Sequence, residues 1–248
     1  MRARARRLLS RLLAAPVRRA LLAVCLLQGP AFAGVTINAA RYADPTDRYA
    51  HAVLGDDVEN ITLVLTLSDG TERRLSLPDD LVFEDTAPRL HDLDADGSPE
   101  VIVVESSQTQ GARLAVWDHD GRITATPFIG TRFRWLAPLG AADLDGDGFV
   151  EIAWIDRPHL AKTLRIWRYD HSALTEVALL AGYTNHRIGE RDIAGGIRMC
   201  DGAPEMVLAT ADWSELVALR FDGAVIEGRV LGTDTGRPAF ARAMGCAY

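Results

Sequence analysis

Two nearly identical acidic loops lie 51 residues apart, and turn-like steps at Asp69-Gly70, Asp120-Gly121, Asp170-His171 and Asp222-Gly223 recur at spacings of 51, 50 and 52 residues. Between them run short apolar segments rich in β-branched and aromatic residues, and nothing after residue 33 shows sustained helical periodicity. Repetition at about 40 to 50 residues with several short strands per unit is the signature of propeller blades. The chain is therefore predicted to be all-β, a β-propeller of about four four-stranded blades. A fifth blade, short or shared between the termini, is compatible with the same length. A β-sandwich also uses short strands and glycine-rich turns, but it has no reason to repeat every 50 residues.

In chain order, residues 1–33 read as a cleavable export signal. Seven arginines precede the apolar stretch Ala20 to Leu27, and Ala31-Phe32-Ala33 supplies a small-residue cleavage site before Gly34. Eight apolar residues are too few to span a bilayer, which takes about 20, so no membrane span is expected in the mature form. Val24 before Cys25 disfavours a lipid-modified cysteine, and the arginine pairs leave the export route open. Cleavage would leave a single domain over 34–248, periplasmic or secreted, with 20 basic against 34 acidic residues. That balance excludes ordinary nucleic-acid binding, which needs clustered Lys and Arg.

The first unit is read as strands near Ala50 to Leu54, Ile61 to Leu67 and Thr71 to Leu77. The second has Val82 to Leu90, Glu100 to Glu105, Ala112 to Trp117 and Ile123 to Phe128. The third has Phe133 to Leu136, Glu151 to Ile155, Thr163 to Tyr169 and Leu174 to Leu179. In the fourth, Asp192 to Gly196 reads as a decayed acidic loop, followed by an insertion and the strand Met206 to Thr210.

The acidic loops carry the chemistry. Asp92, Asp94, Asp96 and Glu100 stand at positions 1, 3, 5 and 9 around Gly97, and Asp143, Asp145, Asp147 and Glu151 repeat the pattern around Gly148. Asp-Gly turns are common without metals, but four carboxylates so placed repel one another unless a cation lies between them. Hard oxygen ligands at this spacing suit calcium. Ser98 and Phe149, at the seventh position of each loop, complete the candidate ligand sets. An EF-hand is excluded, because it needs a bidentate Glu at position 12, where this chain has Val103 and Trp154, and flanking helices.

These loops resemble the FG-GAP and VCBS repeats, the calcium-loop units of integrin α propellers and of many secreted bacterial proteins. Ala137-Pro138 and Phe128-Ile129-Gly130 partly match two further elements of that pattern. The resemblance implies a calcium-bound propeller, with partners on the face away from the loops.

If each acidic loop joins the innermost strand of a blade to its second, the joins between second and third strands, and those between blades, lie on the opposite face. There the sequence places Arg132, Arg134, Trp135, His159, Lys162, His186, Arg187 and Trp213, a mixture typical of binding patches. Packing of Trp135 between blades and pairing of the arginines with local acids are the structural alternatives. Arg134 and Arg187 are expected to converge on the inner rim, with Glu84 and Asp85 as the acids near them. The functional reading is an exported, non-catalytic binding module for a protein, glycan or anionic small ligand. The alternative is a hydrolase or lyase acting on an extracellular polymer through Arg134, His159 and His186. No nucleophile stands in a recognisable motif, and the enzyme reading is the minority one. Cys200 and Cys246 are read as a disulfide suited to an oxidising compartment.

Overall fold

The β-branched runs do form strands, each cut short by an Asp- or Gly-bearing turn. The computed structural model describes residues 34–248; the predicted export signal lies outside the described residues. The N-terminal part is a meander of β1 (Ile37–Thr46), β2 (Glu59–Leu67) and β3 (Glu72–Ser76). The second unit comprises β4 (Leu81–Phe83), β5 (Arg89–His91), β6 (Glu100–Ser107), β7 (Gly111–Trp117) and β8 (Arg122–Ala125). The third is the regular sheet β9 (Leu136–Ala142), β10 (Val150–Asp156), β11 (Thr163–Asp170) and β12 (Ala173–Ala181). The fourth comprises β13 (Tyr183–Thr184), β14 (Gly196–Cys200), β15 (Ala203–Thr210), β16 (Leu216–Phe221) and β17 (Ile226–Gly232), followed by helix α1 (Arg237–Met244).

All sheet pairings are antiparallel. Asn60 of β2 pairs with Phe83 of β4, so the N-terminal meander and the second unit are joined in one eight-stranded sheet rather than standing as two separate four-stranded blades, while the units still pack face to face as propeller blades do. Residue alternation along the second strand of each unit produces this packing. Val101 and Val103 of β6 face the N-terminal meander, while Ile102 and Val104 face Ile152 and Trp154 of β10. Ala153 and Ile155 then meet Met206 and Leu208 of β15, and Val207 and Ala209 meet Ala239, Phe240 and Ala243 of α1. Strands buried on both faces read as near-continuous apolar runs, which is what Val101-Ile-Val-Val104 is.

Several expected boundaries are corrected. Ala50 to Leu54 is no strand; the first strand is β1, and Val53 owes its apolar character to burial in the core shared by the second and third units. The inner strand of the second unit is not continuous from Val82 to Leu90 but is split into β4 and β5. Phe133 takes φ 56°, which a strand does not permit, so the inner strand of the third unit starts at Leu136. The outer strand of the second unit ends at Ala125 rather than Phe128. In the fourth unit the segment at Asp192 to Gly196 interrupts the inner strand, and the position of the acidic loop is taken by the tight turn Asp201-Gly202 between β14 and β15. The predicted insertion is β14 itself.

Helix α1 was not legible as periodicity. Two turns are too short, although Pro238 in the first turn and Gly245 at the C-cap mark its ends. The Cys200–Cys246 disulfide ties the segment after α1 to β14, across 46 residues of chain. No helix among the described residues is long and apolar enough to cross a membrane.

Candidate functional site

The two acidic loops sit at equivalent places, between β5 and β6 and between β9 and β10. Within each, the ninth-position glutamate bonds back to the second residue: Glu100 accepts from Leu93 N–H at 2.8 Å and Glu151 from Leu144 N–H at 2.9 Å. The first aspartate holds the turn glycine, Asp92 accepting from Gly97 N–H and Asp143 from Gly148 N–H, both at 3.0 Å. Asp92, Asp94 and Asp96 each offer an oxygen within 4.8 Å of the others, as do Asp143, Asp145 and Glu151.

The loops differ in how their charge is met. Asp92 Oδ1 is buried and has no hydrogen-bond partner among the described residues, whereas Asp143 Oδ1 accepts from Gly146 N–H at 2.7 Å. Burial first, then Asp94 and Asp96, pushes the Glu100 carboxyl up to about 7. An orphaned buried carboxylate oxygen beside uncompensated acids is the donor set a hard cation takes; calcium fits Asp92, Asp94, Asp96 and Glu100, with Ser98 at the seventh position. In the second loop a guanidinium already lies among the acids. Arg168 reaches Asp145 Oδ2 at 2.6 Å, Asp147 Oδ2 at 2.7 Å and Glu151 Oε1 at 2.7 Å. One oxygen of each of these three carboxylates is therefore already bonded to arginine, so this loop meets its own charge in a way the first does not.

At the opposite ends of the strands, two of the expected joins, those holding Arg134 with Trp135 and His159, meet around a cavity of about 220 Å³, whereas Lys162, His186, Arg187 and Trp213 do not line it. His51, Phe133, Arg134, Trp135, His159 and Ile188 contribute to its lining. Gly111 lets the join between the second and third units lie there. Its φ is +72°, and a Cβ would stand 2.2 Å from the Thr131 carbonyl oxygen. Trp135 is 2% exposed, stacks on His159 at 6.5 Å and donates Nε1–H to the Glu84 carbonyl at 2.8 Å. It backs the cavity as a packed residue. Leu160 and Ile188 stand at the rim, 62% and 72% exposed.

Two histidines line this cavity, His51 and His159, each bonded to a buried partner behind it. His186 donates Nε2–H to the Glu190 carbonyl at 2.8 Å, so its Nδ1 accepts from His159 Nε2–H at 3.0 Å. That tautomer leaves His159 Nδ1 as a free lone pair. Burial first, and then His186, lowers the His159 pKa to about 4, so the ring is neutral at pH 7. His51 Nδ1 bonds Glu84 Oε1 at 2.5 Å, which leaves its Nε2 free. Burial pushes the Glu84 carboxyl up, with His51 working against it. Ser106 Oγ–H donates to the other oxygen of Glu84 rather than to a histidine, so no nucleophile triad is assembled.

The remaining predicted residues divide. Arg134 bonds the Phe133 carbonyl at 3.0 Å and meets no carboxylate among the described residues. Arg132 lies over Phe133 at 4.4 Å and over Tyr49 at 5.8 Å. Lys162 donates to the Ala211 carbonyl at 2.6 Å. Arg187 stacks on Trp213 at 3.6 Å and approaches Glu190 at 3.7 Å. The expected convergence of Arg134 and Arg187 on Glu84 and Asp85 is corrected: Glu84 is taken by His51 and Ser106, and Asp85 by Arg89 at 2.6 Å. His51 and Phe133 were missed as site residues, and Glu84, expected beside the arginines, instead holds His51. The Asp69-Gly70 step, placed between β2 and β3, would have marked 47–58 as a join on this face. A cleft of about 300 Å³ between the second and third units holds Asp156, Arg157, Arg165 and Glu176, whose charges pair with one another.

The family described as FG-GAP-like repeat matches residues 92–154, from the first residue of one acidic loop to beyond the end of the other. The chain carries an FG-GAP-like repeat. The matched segment holds β6 to β9 and most of β10, and so runs through one full step from the first acidic loop to past the second. Comparison with curated proteins returned no match. Among solved structures, the exotype rhamnogalacturonan lyase YesX aligns with a TM-score of 0.46 and 13% identity, over 80% of this chain and 48% of that one. The chain thus spans about half the length of that enzyme.

Proposed function

We propose that this FG-GAP-like propeller is an exported binding module whose first acidic loop is stabilised by calcium and whose opposite face takes an anionic ligand. The observation that carries the ligand reading is the cavity of about 220 Å³, where Arg134 meets no carboxylate among the described residues beside two neutral-capable imidazoles and the exposed apolar side chains of Leu160 and Ile188. A guanidinium that bonds a backbone carbonyl but no carboxylate favours a carboxylate or sulfate, and the apolar rim favours a body that excludes water around it. The volume suits one small group, such as a terminal sugar acid or a side chain of a larger partner.

Calorimetric titration with matched probes, glucuronate against glucose and benzoate against benzyl alcohol, tests this. The charged member of a pair is expected to bind and the neutral member to bind at least tenfold more weakly. Arg134→Ala should erase the difference while leaving the calcium response intact. Equal binding of charged and neutral probes, or no effect of Arg134→Ala, would remove the anionic site.

The His51–Glu84 pair favours a second reading. A buried carboxylate that orients an imidazole leaves Nε2 able to take a proton, and His159 Nδ1 faces the same cavity. An extracellular acidic polymer would be the substrate class. Product formation from uronate-containing polysaccharides, abolished by His51→Gln and not by Lys162→Met, is the expected result. Absence of turnover across such polymers leaves the binding module standing.

A further inference from the structure

The strand opposite each ninth-position glutamate tells the units apart. Glu151 of β10 pairs in register with Arg168 of β11. In the fourth unit Met206 pairs with Leu219, so the next pair outward is Glu205 with Arg220, and Arg220 reaches Glu205 at 2.9 Å. In the second unit Val101 pairs with Trp117, and the next pair outward is Glu100 with Asp118. Asp118 turns away to accept from Asp120 and Gly121 N–H groups at 2.7 and 2.9 Å. One register position therefore holds Arg, Arg and Asp.

The fate of the loops follows that position. Where Arg220 stands, joined by Arg198 and Arg229, the loop has shrunk to Asp201-Gly202 and Glu205 needs no other counter-charge. Where Asp118 stands, four acids are left without a guanidinium and Asp92 Oδ1 has no partner among the described residues. The third unit keeps all four acids but spans three of them with one arginine, and Phe149 lies 5.7 Å from that guanidinium. Asp145 and Glu151 are 5% and 0% exposed, so bringing a divalent ion to them would require the guanidinium to leave buried partners or remain beside a like charge.

We infer that Arg168 is a built-in cation for the Asp143–Glu151 loop, which is therefore closed to calcium, and that the Asp92–Glu100 loop alone responds to the ion. The second half of this inference rests on the calcium reading above; the first half does not. Calcium bound per chain, measured by equilibrium dialysis and calorimetry after chelator treatment, separates the two. One ion is expected for the unaltered protein, none for Asp92→Ala and one for Asp145→Ala. Arg168→Gln is expected to bind one ion more than the unaltered protein, and its melting temperature, lowered without calcium, should recover when calcium is added. Asp118→Arg, which places a guanidinium at the equivalent register of the second unit, should lose the first-loop ion.

Two ions on the unaltered protein, loss of an ion in Asp145→Ala, or no gain in Arg168→Gln would overturn the role of Arg168. No ion on the unaltered protein together with one on Arg168→Gln would overturn the first-loop reading and support the arginine. Should Arg168→Gln fail to fold, the counts for Asp145→Ala and Asp118→Arg decide, since neither removes Arg168.

Discussion

Glu59 is 4% exposed, and burial first, then Glu84, Asp56 and Asp85, pushes its carboxyl up to about 9. Because the folded value lies above the ordinary 4.5, this group stabilises the fold fully below pH 4.5, and that contribution is lost as pH rises through 9. Glu59→Gln removes the titration. Its melting temperature should match that of the unaltered protein near pH 4 and exceed it increasingly towards pH 9, which a thermal scan across that range checks; lower melting at every pH would contradict it. His159 has the opposite sign. Its folded value of about 4 lies below the ordinary 6.5, so its contribution is present above pH 6.5 and lost as pH falls through 4. His159→Gln should flatten the acid limb of stability by on the order of 1–3 kcal/mol. Of these groups the sequence reading singled out His159 and not Glu59, since an acid in an apolar strand declares its burial only when the neighbouring sheets are in place.

Among the elements, Gly111 shows how one turn sets a site. Its positive φ and the 2.2 Å approach of a Cβ to Thr131 oxygen mean that Gly111→Ala must displace the 131–134 segment. A cost of at least about 1 kcal/mol is expected, with weakened binding of the charged probes and an unchanged calcium response. Denaturant titration and calorimetry on the same sample check both. The acidic loops were readable as turns because their carboxylate spacing is local. Their unequal charge balance was not, because Arg168 lies 17 residues beyond Glu151 and meets it only through the register of β10 on β11. The inner strands were misjudged for a related reason: β4 with β5 and β13 with β14 are each one line of pairing interrupted by a segment that turns into the centre.

Across the whole molecule, the stack of sheets ends on α1, whose Phe240 and flanking alanines cover the last strand face. The disulfide holds the chain beyond it to β14. Replacing both cysteines by serine should lower unfolding free energy by between about 3 and 4.7 kcal/mol on chain-entropy grounds, measured by denaturant unfolding without reductant. An unchanged midpoint would show that α1 docks without help. At the centre, Gly189 N–H donates to the Val53 carbonyl at 3.1 Å, so the interrupted inner strand of the fourth unit touches the join between β1 and β2. That contact brings residues more than 130 positions apart to one cavity.

By itself the sequence determined the all-β class, the repeat period, the acidic loops, the pairing of Cys200 with Cys246 and the face on which Arg134, Trp135 and His159 meet. The class, the period and the loops rest on local pattern in alternation, turn residues and carboxylate spacing; the cysteine pairing rests on an even count, and the shared face on the direction that successive strands must take. Tertiary structure alone decided that Arg187 stacks on Trp213, that His51 enters the cavity held by the buried Glu84, and that one acidic loop holds an arginine while the other does not. These depend on which side chains distant segments bring within a few ångströms of one another, because hydrogen bonds form only at about 3 Å and charge pairing weakens with distance.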